Sequence, residues 1–120
     1  MSVAAANARK FYEQVVAERR VFTFVDDGSY LVFKIGGAEV IPFWSHRSHL
    51  DSVQEFDPKF LSYEPDEISL EDFLAKTLPQ LDREKIRVGV NWSGSRLTGY
   101  DLTVDELKRN LNYWIANPSS

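Results

Sequence analysis

Residues 20–44 read RVFTFVDDGSYLVFKIGGAEVIPFW, and the fold turns on how this stretch divides. β-Branched and aromatic residues crowd three runs. Asp26-Asp27-Gly28-Ser29 parts the first from the second, and Gly36-Gly37 parts the second from the third. Both separators supply residues that tolerate positive φ, as tight hairpin turns require. The stretch is therefore expected to form a three-stranded antiparallel meander over 21–44, with strands at 21–25, 30–35 and 39–44. Alternation is incomplete in 21–25, which predicts a strand covered on both faces or an inner one. Pro42 has no N–H to give a ladder, so the third strand is expected at an edge or distorted near its end.

Toward the N-terminus, Ala8, Phe11, Tyr12, Val15 and Val16 recur at helical spacing and predict a helix over about 3–18. Arg9, Lys10, Glu13 and Arg19 fall off that stripe. Beyond Trp44 the pattern breaks, and 45–85 reads as helical or irregular. Ser45 or Ser48 is expected to cap a short helix through Leu50, Val53 and Phe56, ended by Asp57-Pro58. Residues 59–68 are irregular or a short strand. Ser69-Leu70-Glu71-Asp72 is a variant capping box followed by Phe73, Leu74, Leu78 and Leu81, and Pro79 should end or kink that helix near Thr77.

Residues 87–92 (RVGVNW) form the next predicted strand, 93–99 a polar turn and 100–102 a short extra strand. Thr103-Val104-Asp105-Glu106 is a capping box opening a helix over 103–117, with Leu107, Leu111, Trp114 and Ile115 as its buried stripe. This order implies an α+β fold. A mainly antiparallel sheet of four to five strands would carry N-terminal, middle and C-terminal helices, within a single domain over 1–120.

The 120 residues suit one domain, since halves of roughly 60 residues would have marginal cores. The chain is 43% hydrophobic and 27% charged, a folded rather than a disordered profile. Its net charge of −4 argues against nucleic-acid binding, which needs cations to displace counterions from phosphates. The absence of cysteine excludes disulfides, thiolate metal sites and a cysteine nucleophile. No apolar run approaches the ~20 residues of a membrane span. MSVAAANARKF lacks the basic stretch and long apolar run of a signal peptide, so a cytoplasmic location is expected.

Several pieces carry a family resemblance: the Pro42-Phe43-Trp44 corner, Tyr63-Glu64-Pro65 leading to Ile68-Ser69-Leu70 with Phe73-Leu74, Leu78-Pro79, and VGVNW before a capped last helix. Over about 20–114 the chain resembles the bacterial family called domain of unknown function 2750. The resemblance implies a small bacterial α+β domain, usually alone. It brings no established activity, so no catalytic residue is carried over.

His46 and His49 are the only histidines. Spaced i, i+3, they share one helix face, where Asp51 or Glu55 would have to complete a metal site. Without an HExxH pattern or thiolates, no metal and no cofactor is assigned. Ser45 beside His46 suggests nucleophile and base, but sequence neighbours rarely point at each other and no G-x-S-x-G elbow is present. Ser93-Gly94-Ser95-Arg96 offers amides, hydroxyls and a guanidinium to an anion, but no helix N-terminus follows immediately and the spacing fits no phosphate-loop motif, so it reads as an ordinary hairpin turn. Trp44 and Trp92 each close a predicted strand. If those strands end on the same side, Trp44, Ser45, His46, His49, Asn91 and Trp92 line a common binding corner; otherwise both indoles plug the core.

The middle segment is rich in acids, with Lys59 as its only nearby cation. Asp51, Glu55, Glu64, Asp66 and Glu67 would give one face a negative field suited to a basic protein partner, or serve only as a solvated surface. Trp114 is either core or a dimer contact. The reading that follows is a non-enzymatic protein-binding domain of adaptor or immunity type. The alternatives are a small-ligand or metal binder, or an enzyme, at the 44–49 corner, and a homo-oligomeric structural protein.

Overall fold

The apolar stripe of the N-terminal segment closes into α1 (Val3–Glu18). The Ser2 hydroxyl accepts from the Ala5 N–H at its start, and Arg19 ends it in the left-handed region at φ 59°. The computed structural model describes residues 2–94 and 96–118. After α1 come β1 (Arg20–Asp26), β2 (Ser29–Tyr30), β3 (Phe33–Ile35), β4 (Ala38–Phe43), α2 (Arg47–Phe56), a 3-10 turn (Pro58–Ser62) and β5 (Glu64–Ser69). The chain continues as α3 (Leu70–Asp72), a π-helical turn (Phe73–Thr77), α4 (Leu78–Arg83), β6 (Arg87–Ser93), β7 (Thr98–Leu102) and α5 (Val104–Ala116).

The fold is α+β, with N-terminal, middle and C-terminal helices, but its strands divide between two sheets. One has the order β2-β1-β5 and the other β3-β4-β6-β7. The expected continuous meander is therefore broken. Only the tip of β1 pairs with β2, at Val25–Tyr30 and Asp26–Ser29, and the chain then leaves for the other sheet as β3. Along most of its length β1 pairs instead with β5, from Arg20–Ser69 to Val25–Glu64. The second sheet is mixed, because β4 and β6 run parallel. A parallel pair needs a long crossover, and 44–86 provides it.

Pro42 explains where the sheets join. It sits not at an edge but on an inner strand, between β3 and β6. The ladder to β3 ends at Val40. Two residues beyond Pro42, Trp44 exchanges backbone hydrogen bonds with Phe22 of β1 at 2.7 and 2.8 Å. The two-residue repeat of a strand aims Pro42 to the same side as Trp44. There its carbonyl accepts from the Thr23 hydroxyl at 2.8 Å. The proline thus occupies the one place where β4 exchanges one neighbour for another and no N–H is required.

The inner strands β1, β4 and β6 are covered on both faces, which is why 21–24 reads as an unbroken buried run. On one side α1, the 70–83 helical run and α5 meet Ile41, Phe43, Val88 and Val90 through Phe11, Val15, Phe73, Leu78, Leu107 and Leu111. On the other side a smaller core gathers Phe22, Phe24, Val40, Trp44, Leu50, Val53, Phe60 and Trp92 beneath α2 and the 3-10 turn.

Pro79 does not break the helical run. The chain widens into a π turn just before it, with the Leu78 N–H bonded to the Phe73 carbonyl. This accommodates a ring that would crowd the carbonyl four residues back. In α5 the capping box forms as expected between Thr103 and Glu106. Leu107 and Leu111 are buried with Val104, whereas Ile115, expected in the stripe, is exposed. Trp114 is half-buried and stacks on Tyr12 with ring centres 6.4 Å apart.

Candidate functional site

The two tryptophan corners meet. β4 and β6 are adjacent and parallel, so they end on the same side. The Trp44 Nε1–H donates to the Trp92 carbonyl at 2.9 Å. The Ser45 N–H donates to Asn91 Oδ1 at 2.9 Å, and Asn91 Nδ2 donates to Ser45 Oγ at 2.9 Å and to the Asn7 carbonyl at 3.2 Å. The Ser45 hydroxyl in turn donates to Gln14 Oε1 at 2.6 Å. One buried amide thereby ties β6 to the end of β4 and to α1.

A bulge creates this arrangement. Val88 and Val90 face the helical core, and the strand repeat would send Trp92 the same way. Asn91, however, takes a left-handed φ of 46°, and the register with β7 slips between Val90 and Ser93. Asn tolerates that conformation better than most residues. The extra residue turns Trp92 into the smaller core instead. Its indole lies against Gly89 and Gly99, where an added Cβ would stand 2.5 and 2.6 Å from ring carbons. Trp92 Nε1–H donates to the Tyr100 carbonyl at 3.0 Å, and the Phe33 ring lies 5.5 Å away.

Between α2, the 3-10 turn and the β6–β7 turn lies a cavity of about 270 Å3. Buried Val53, Phe60, Asn91 and Trp92 make its floor. Half-buried Asn7, Phe33, His49, Asp57 and Leu97 make its walls, and Ser52, Phe56, Lys59, Ser93, Gly94 and Arg96 its exposed rim. Phe56 is 70% exposed, an unusual placement for a phenylalanine at a cavity mouth.

Of the six residues expected at a binding corner, His49, Asn91 and Trp92 line this cavity. Trp44 and Ser45 do not. Both are fully buried and act beneath it, Trp44 in the core and Ser45 in the amide network. His46 plays a different part. Its Nδ1 accepts from the Ser48 N–H at 3.1 Å, so the helix cap expected from Ser45 or Ser48 is supplied by His46. The Ser45 hydroxyl reaches Gln14 and Asn91 rather than His46, so the serine–histidine pairing does not form. Among the described residues, no group of three or more His, Asp or Glu is placed to hold a metal.

His49 Nδ1 is shielded from solvent and has no hydrogen-bond partner among the described residues. Its pKa is lowered, first by burial and then by the positive charge of Lys10, with the Asn91 side chain opposing. The ring is therefore neutral near pH 7. At the rim, Lys59 Nζ stands 5.3 Å from the Phe60 ring centre and 3.5 Å from Asp57 Oδ2. Arg96 has no acidic partner within 4 Å among the described residues. Ser95, in the turn singled out for anions, lies outside the described residues.

The acids of the middle segment have more counter-charge than Lys59 alone. Glu67 meets Arg20 at 3.5 Å, Glu71 pairs with Arg19, and Asp72 meets Lys76 at 3.6 Å. Glu64 and Asp66 share one face of β5 by strand alternation and Glu67 takes the other, while Asp51 and Glu55 ride on α2. β5 is also a sheet edge. Charges and Pro65 on such an edge blunt pairing with another chain.

Asn7, Phe33, Val53, Phe60 and Leu97 carry no local sign in the sequence of being cavity residues, because long-range packing brings them together. The two glycines under Trp92 were the signal available. A family model described as a protein of unknown function (DUF2750) matches residues 8–111, and the chain belongs to that family. No curated protein matches the chain.

Proposed function

We propose that this member of the DUF2750 family is a small-ligand-binding domain whose site is the cavity between α2 and the β6–β7 turn. The observation that carries the reading is the cavity's composition. An aromatic floor is combined with a few convergent polar groups, including a shielded imidazole nitrogen with no hydrogen-bond partner among the described residues. That mixture characterises ligand sites, in which apolar area gives affinity and a few polar atoms fix orientation. A volume of about 270 Å3 lies just below the roughly 300–1,000 Å3 of drug-sized pockets, so the ligand is small, on the order of one ring with a short substituent.

The test is a fragment screen of the intact chain read by two-dimensional NMR. Binders should move the Trp92 indole, His49 and Asn91 signals together. Ser52→Trp, at an exposed rim position, should block the same binders while leaving the fold intact. Hits scattered over the surface, or hits indifferent to Ser52→Trp, would end this reading.

A further inference from the structure

We infer that the ligand of this cavity is a small organic carboxylate, its apolar body on Trp92 and Phe60 and its charge between Arg96 and Lys59. The inference rests on the small-ligand reading and adds the chemical class. The sign of the charge comes first. In a chain of net charge −4, the cavity rim carries Lys59 and Arg96, and Lys10 stands near enough to His49 to act on it. Among the described residues Asp57 is the only acid lining the cavity, and it sits against Lys59. Arg96 is left as a guanidinium with no carboxylate of its own among the described residues, and its fork matches a carboxylate in two parallel hydrogen bonds.

The position of the charge comes second. Lys59 Nζ lies over the Phe60 ring, so cation and floor are one ring apart. A ligand seated on the floor brings an acidic substituent one or two bonds from its ring to the rim. Ser93 adds a donor, because its Oγ accepts from Asn7 Nδ2 at 2.8 Å and its own O–H donates to no acceptor among the described residues. Neutral His49 offers hydrogen bonding at the wall without a second full charge, so a single anionic group suffices.

The test titrates the intact chain with matched carboxylates and amides, such as phenylacetate against phenylacetamide and branched short-chain acids against their amides, followed by NMR and calorimetry. Acids should bind about tenfold tighter than their amides, the scale of one charge-assisted hydrogen bond. Arg96→Ala and Lys59→Ala, both at exposed positions, should erase that preference by weakening the acids and not the amides. Added salt should shrink it as well. Amides that bind as tightly as acids would overturn the carboxylate inference and leave the ligand-binding reading standing. Acetate binding as well as phenylacetate would overturn the role given to the aromatic floor. If neither acids nor amides bind while neutral or cationic fragments occupy the cavity, the carboxylate inference falls alone. If nothing occupies it, both readings fall.

Discussion

Adding one methyl group at Gly89 tests how the site is built. The new Cβ would lie 2.5 to 2.7 Å from three atoms of the Trp92 indole. Ordinary contact begins near 3.4 Å, so the ring must move by about 1 Å. It has little room, since Phe33 is 5.5 Å away on centroids and the Nε1–H is held by the Tyr100 carbonyl at 3.0 Å. Overpacking of this kind costs about 1–3 kcal/mol, and a lost hydrogen bond about 1 more. The backbone at Gly89 is not in the left-handed region. Gly89→Ala therefore also stiffens the unfolded chain, which returns about 0.4–1 kcal/mol. The expected net loss is about 2 kcal/mol, a fall of about 1 M in the urea midpoint. The Trp92 indole signal should shift while those of Trp44 and Trp114 hold. Trp92→Leu combined with Gly89→Ala should lose less than the two changes separately, because the clash disappears with the ring. An unmoved midpoint with an unmoved indole, or strict additivity in the double variant, would refute the packing argument.

Three other changes probe the site and its frame. Asn91→Leu removes the groups that bond Ser45 and Asn7 and strains a left-handed position, so urea denaturation should show a loss of about 3 kcal/mol. Because burial holds the His49 pKa below its ordinary value, the unfolded chain takes that proton first as pH falls. The stabilising contribution is complete above about pH 6.5 and is lost on acidification below it. The drop in urea midpoint between pH 7 and pH 5 should be smaller in His49→Gln than in the native chain. Thr103→Ala removes the cap of α5 and should lower stability by about 1 kcal/mol in thermal unfolding, with the cavity signals unmoved.

The sequence announced the outer helices because their periodicity is local: Ala8, Phe11, Tyr12 and Val15, and later Leu107 and Leu111, are buried as spaced. It announced the turns for the same reason, through Gly28, Gly36 and Gly37 at positive φ. Strand partners were less legible. An apolar run such as 40–44 looks the same whether its neighbour is the next strand or one much further on, parallel or antiparallel. The parallel β4–β6 ladder and the exchange of partners at Pro42 therefore had no local sign. The site was legible in part. Asn91 and Trp92 stood out as polar and aromatic residues at a strand end, but the bulge that re-aims Trp92 depends on β7. His49 was visible as a histidine, whereas the lack of a partner for its Nδ1 among the described residues is a property of the packed interior.

The cavity lining comes from α1, β3, α2, the 3-10 turn, β6 and the β6–β7 turn, and the Trp44–Trp92 bond spans 48 positions of sequence. No fragment of the chain can build the cavity alone. A molecule bound there would recognise only the completed fold, so its binding would raise resistance to global unfolding by an amount set by its free concentration relative to its dissociation constant. At one hundred times its dissociation constant a ligand adds about 2.7 kcal/mol by mass action. Melting temperature thus becomes a direct gauge of occupancy for any molecule that fills the cavity, and heat resistance in the presence of a crude metabolite fraction tests the ligand-binding proposal.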